Sequence, residues 1–147
     1  AQELGAVACI NYRDEDCFEQ LSAANDGRGM DVILDMVAGS YVPKEVSLLA
    51  DDGRLVIIAV MGGVKAEVDM AQILRRRLTI TGSTLRARPH DFKAALANSV
   101  REYVWPLLEQ GKVRPVIHSV FGLDEVAEAH RLMESSQHIG KIMLKLN

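Results

Sequence analysis

A chain of 147 residues has the size of one ordinary domain, whose folding buries roughly 68–70% of the surface the unfolded chain exposes. Its 17 Lys and Arg stand against 20 Asp and Glu, a formal charge of −3, which excludes a generally basic surface for nucleic acid or for anionic membranes. Cys9 and Cys17 have no metal-ligand spacing and no companion pair, so neither a zinc site nor a disulfide framework is expected, and no apolar stretch approaches the ~20 residues that span a bilayer.

In chain order, "AQELGA" reads as the last turn of a helix closed by Gly5, glycine supplying the left-handed conformation common after a helix end. A chain that opens inside a helix is expected to be a piece of a longer protein. Four short runs follow: "VACINY" (7–12), "MDVILDMV" (30–37), "GRLVIIAV" (53–60) and "LTITG" (78–82). Each is rich in β-branched residues and bounded by Gly or Asp, and so reads as a strand. Three carry apolar residues on both faces, the pattern of parallel strands covered by helices on both sides.

Helices separate them. Asp16 with Glu19 offers a capping box for a helix to about Ala24, Ser40 is placed to cap 41–50, and Asp69 to cap 70–76. The alternation βαβαβαβ predicts an α/β layer architecture. From Pro89 a longer helical run reaches residue 111, with a kink or restart expected at Pro106, which cannot continue the backbone hydrogen bonding. A β-α-β tail closes the chain: "PVIHSVFG" (115–122), a helix from Asp124 to about Ser135, and "GKIMLKL" (140–146). Helical spacing puts Leu123, Val126, Ala127, His130 and Met133 on one face of that helix, where His130 reads as a core histidine rather than a ligand.

No complete catalytic constellation is visible: there is no G-x-S-x-G, no H-E-x-x-H, no Walker loop and no G-x-G-x-x-G. Ligands of open α/β sheets bind at the carboxyl ends of the strands, which nominates Asn11–Arg13, Asp35–Gly39, Ala59–Gly63 and Gly82–Arg88. Every candidate has a structural rival. Tyr12 either stacks on a ligand or packs, and Asp35 either accepts a ribose hydroxyl or caps the next helix. "VMGG" (60–63) either lets a flat ring approach the backbone or turns the chain. Arg75, Arg76 and Arg77 fit the negative end of a helix, whereas Arg86 and Arg88 sit on a strand-end loop that suits a phosphate or carboxylate.

"LGAVACINYRDEDCFEQL", "GMDVILDMVAG", "GRLVIIAVMGG", "LTITGSTLRAR" and "AHRLMESSQHIGKIMLKL", taken in order, resemble the carboxy-terminal half of a zinc-independent quinone oxidoreductase of the medium-chain dehydrogenase/reductase superfamily. "INYR", "VMGG", "STLRAR" and "HIGKIML" are most similar to NADPH-dependent quinone oxidoreductases of the p53-inducible type. The resemblance implies part of a Rossmann domain, strands three to six, over 1–88, a connecting helix over 89–111, and over 112–147 the tail of a GroES-like domain. It implies NADPH as cofactor, with Tyr12 beside the adenosine 2′-phosphate, Val37, Ile58 and Ala59 along the ribose and nicotinamide, Thr84, Leu85 and Arg86 near the nicotinamide end, and Lys141 near the cofactor from the tail. Ala38 departs from the Gly-Gly that often follows the fourth strand.

The expected activity is transfer of hydride from NADPH to a quinone or another conjugated carbonyl, in the cytoplasm, without a metal and without a catalytic side chain in this half. The expected partners are that small-molecule substrate and a second copy paired through 78–82, with no nucleic acid and no membrane. A non-catalytic dimerising Rossmann-like module is the alternative; a methyltransferase with a similar sheet fits the "GKIML" tail less well. In strand order 3-2-1-4-5-6, the run at 7–12 lacks a neighbour within this chain, so the chain alone is not expected to rebuild the native sheet.

Overall fold

The structure, a computed structural model of the chain, describes residues 1–14 and 16–146 and divides into two units, Ala1–Ala87 and Arg88–Asn147. In the first, strands β1 (Met30–Asp35), β2 (Leu49–Ile57) and β3 (Thr79–Gly82) form a parallel sheet in the order β1-β2-β3. Helices α1 (Cys17–Ala23), α2 (Val42–Leu48) and α3 (Met70–Arg76) alternate with them. Ile33 pairs with Leu55 and Leu55 with Ile80, so the strands' apolar centres lie side by side.

The core follows from the α2 stripe. Val42 and Val46, one turn apart on α2, and Leu49, where the chain passes into β2, meet Ala38, Leu55 and Leu78, with Ile33, Ile57, Val68 and Ile73 packed around them. Leu55, Leu49 and Val46 are essentially solvent-free, each contributing about 1.5–3 kcal/mol by leaving water.

Several expectations are corrected. Residues 7–12 form no strand; Val7 is exposed, and only Ile10 of the run is drawn inward. A backbone ladder needs a neighbour, and the described residues offer none beside this run. The strand expected at 53–60 begins at Leu49, directly from α2, and ends at Ile57. Between Met30↔Leu49 and Val32↔Arg54, β1 advances two residues while β2 advances five, so the Asp51-Asp52-Gly53 turn is accommodated as a bulge.

Asp16 makes no cap bond, because its carboxylate accepts from Gln20 Nε2 at 2.7 Å. Ser40 makes none either: a 3₁₀ turn, Gly39–Tyr41, leads into α2. Asp69 does cap α3, accepting from the Ala71 N–H at 2.9 Å. At the other end of α3, Arg77 (φ +53°) forks onto Asp52 at 2.7 and 2.8 Å, and Arg76 donates to the Val46 carbonyl. Those arginines tie the helix end to the β2 bulge.

In the second unit the long helix is interrupted as Pro106 demands. Helix α4 (His90–Ser99) passes through a π turn, Val100–Val104, into α5 (Trp105–Glu109), with the proline in its first turn. Strands β4 (Ile117–Gly122) and β5 (Lys141–Lys145) pair in parallel around α6 (Val126–Glu134). Val126, Ala129, His130 and Met133 line a small cavity against Ile142 and Leu144. Ala129, not Ala127, is the buried alanine of that face, Leu123 is exposed, and His130 lies at the rim, exposed rather than in a core.

Candidate functional site

The parallel sheet brings three loops to its carboxyl edge, and backbone hydrogen bonds join them. Ile58 N–H donates to the Asp35 carbonyl at 2.7 Å, Gly62 N–H to the Val37 carbonyl at 2.6 Å, and Ser83 N–H to the Ile57 carbonyl at 3.0 Å. Ala38 and Gly63 add an isolated parallel bridge. Val37, Ile58, Ala59 and the Thr84-Leu85-Arg86 segment therefore share one edge of the sheet, with Ile58 and Leu85 about half exposed and Thr84 and Arg86 exposed.

Asp35 caps no helix, since neither the Gly39–Tyr41 turn nor α2 has a side-chain cap; it closes the turn after β1 instead. It is 3% exposed, and its carboxylate accepts from the Val37 N–H at 2.6 Å and from the Ala38 N–H through both oxygens, at 2.8 and 3.1 Å. Gly62 of "VMGG" and Gly39 serve loop packing: a Cβ on Gly62 would meet Val37 Cγ1 at 2.9 Å, and one on Gly39 would collide with the Gly62 carbonyl oxygen. Ala38 holds φ +57°, ψ −148°, a region that favours glycine, so the alanine there is strained by about 1–3 kcal/mol.

Tyr12 lies on the turn before α1. Asn11 builds the turn: its side chain accepts from the Arg13 N–H and donates to Asp14, both at 3.2 Å. The turn leaves Tyr12 65% exposed, with Arg13 Nε donating to the phenol oxygen at 3.3 Å and the guanidinium 5.6 Å from the ring centroid. A phenol and a guanidinium side by side at the surface form a donor set that fits a phosphate monoester. Arg13 gives Tyr12 a partner that the reading of Tyr12 alone did not supply. Lys141 belongs to the second unit, where it opens β5, exposed, its N–H bonded to the Val116 carbonyl at 2.7 Å. Arg88 is also in that unit, its guanidinium 4.9 Å from the Phe92 ring centroid.

One polar group was missed. Glu45, 7% exposed, lies on the apolar stripe of α2, and its pKa is raised from 4.5 to about 7, first by burial and then by the charge and hydrogen bonding of Asp35. The signal was in the sequence: Val42, Glu45, Val46 and Leu49 keep helical spacing, with an acid in a core position. Among the described residues, no group of three or more His, Cys, Asp or Glu could hold a metal ion, and no helix is long and apolar enough to cross a membrane.

Known proteins are similar to this chain in sequence and fold. The quinone oxidoreductase of Lama guanicoe is 31% identical over 97% of this chain, and the quinone oxidoreductase-like protein 2 of Bos taurus 28% identical over 99%; the chain spans 42% of the length of each. A crystal structure of an NAD-dependent alcohol dehydrogenase superposes with a TM-score of 0.77 at 29% identity, covering 99% of this chain and 40% of that one. The enoyl reductase CurK superposes with a TM-score of 0.72 at 26% identity, covering 99% and 43%. With the family's sequence pattern running over residues 4–144 and the fold matched by these structures, the chain belongs to the zinc-binding dehydrogenase family.

Proposed function

We propose that this chain supplies cofactor-binding residues to an NADPH-dependent oxidoreductase that passes hydride to a quinone or another conjugated carbonyl, in the reducing cytoplasm. The observation that carries the reading is the set of three hydrogen-bonded loops at the carboxyl edge of a parallel sheet, where such folds place nucleotides. When bound, the reduced nicotinamide supplies the hydride.

The chain's own residues orient and shield. The Tyr12 phenol and the Arg13 guanidinium hold the 2′-phosphate by charge-assisted hydrogen bonds. Val37, Ile58 and Ala59 give a flat apolar backing, Leu85 keeps water from the ring, and Thr84 and Arg86 fix the polar end. The likeness to the guanaco and bovine quinone oxidoreductases supports a quinone as acceptor, and that to the enoyl reductase CurK supports an enone. The family's name points to zinc, but the described residues supply no ligand set for it, and no step is assigned to a metal. Strand β3, exposed along all four residues at the end of the sheet, is the edge through which a second copy is proposed to pair.

The test is oxidation of NADPH by the protein at its natural length, with a quinone and an α,β-unsaturated ketone as acceptors. Turnover with either supports the oxidoreductase reading, and the faster acceptor names the substrate class. No turnover with either, together with a dimer lost in Ile80→Lys, would favour the non-catalytic dimerising module.

A further inference from the structure

The proposed site depends on the turn after β1 keeping one conformation, and the residues behind that turn include an acid the reading does not use. Glu45 is buried in α2, its Oε2 has no hydrogen-bond partner, and it lines an apolar cavity of about 310 Å³ with Tyr12, Cys17, Phe18 and Tyr41. Beside it stands Asp35, whose oxygens already take the Val37 and Ala38 N–H groups. Two buried carboxyls side by side do not both ionise without cost, and the proton settles on the one that lacks N–H donors.

We infer that Glu45 is a positioning residue: protonated, it donates to Asp35 and holds the Asp35–Ala38 turn; ionised, it repels Asp35 and loosens the turn, weakening whatever the turn helps to bind. The affinity part of this inference rests on the cofactor reading above; the effect on the turn does not.

The surroundings leave Glu45 to answer to Asp35. From the segment leading into α1 comes Tyr12, from the first residue of α1 Cys17, and from the turn before α2 Tyr41. Lys44, next in the chain, lies over the Phe18 ring, 5.0 Å from its centroid. Arg76 of α3 is committed to the Val46 and Ser47 carbonyls and to Asp51, and Arg77 pairs with Asp51 and Asp52 of β2. Burial and Asp35 both raise Glu45, to about 7, and among the described residues no cation opposes them. An acid raised on folding contributes stability that is full below its unfolded value, near 4.5, and is lost as the pH rises through about 7.

The experiment is amide hydrogen exchange at Val37 and Ala38 in the ligand-free protein at its natural length, corrected for intrinsic exchange, on either side of the titration near 7. Wild-type protection is expected to fall about tenfold from the acid to the alkaline side, and Glu45→Gln, which keeps a neutral donor, to stay level. Equal protection on both sides in the wild type, or the same fall in Glu45→Gln, overturns the inference; the wild-type profile decides even if the variant does not fold. The same pair of proteins is then titrated with NADPH. Wild-type affinity is expected to weaken severalfold with rising pH and that of Glu45→Gln to hold, in keeping with the share of binding-competent molecules. Absence of NADPH binding at any pH, with the exchange effect intact, would contradict the cofactor reading and leave the positioning role supported.

Discussion

In the first unit, Ala38, Val42, Val46, Leu49, Leu55 and Leu78 meet in one buried cluster, whereas among the described residues of the second unit only Ala129 is buried. Trp105 is 54% exposed there, and Val116 and Val120 are about as open. The difference is one of layers. The first unit crosses over twice between parallel strands, and each crossover returns a helix to the sheet. The second has a two-stranded sheet with one crossover helix, and two strands bury too little to stand alone. Apolar residues such as Val116, Val120 and Leu146 are therefore surface that other polypeptide is expected to cover, in keeping with a chain that spans 42% of the length of its curated relatives.

The largest effect that would break this comparison is a pair of truncations. Leu55→Ala is expected to cost about 3 kcal/mol in urea unfolding, because it empties a packed centre. Val120→Ala, in this chain, is expected to change stability by less than about 0.5 kcal/mol. Equal costs would mean that the two units are packed alike. A smaller effect of opposite sign tests the joined loops: Ala38→Gly relieves the +57° backbone and is expected to raise stability by about 1 kcal/mol. A loss would show that the methyl's burial outweighs the strain. The smallest is optical. Trp105, the only tryptophan, is expected to be quenched freely by acrylamide in this chain and less in the protein at its natural length; equal quenching would contradict the covering of the second unit.

The sequence made the alternation of elements, the Asp69 cap and the break at Pro106 legible, because each rests on local chemistry: period, an N–H acceptor, a missing donor. The run at 7–12 looked like a strand on composition alone, but strands are made by neighbours. Ser40 looked like a cap, but the 3₁₀ turn Gly39–Tyr41 carries the chain into α2, and Pro43, three residues on, has no N–H to give. The candidate site was legible as loops at strand ends. What joins the loops, the backbone bonds between 35–37 and 58–62 and the strained Ala38, depends on strand register. The paired acids Asp35 and Glu45 lie ten positions apart and become neighbours only when α2 folds back over β1.

Whether the loops and the Tyr12–Arg13 turn form part of an NADPH site is decided by a fluorescence titration of the protein at its natural length with NADPH and with NADH. Saturable binding that favours NADPH is expected, with Arg13→Ala weakening NADPH about tenfold or more, the worth of a charge-assisted hydrogen bond, and leaving NADH unchanged. Equal affinity for the two nucleotides, or an Arg13→Ala loss that falls on both alike, would contradict it.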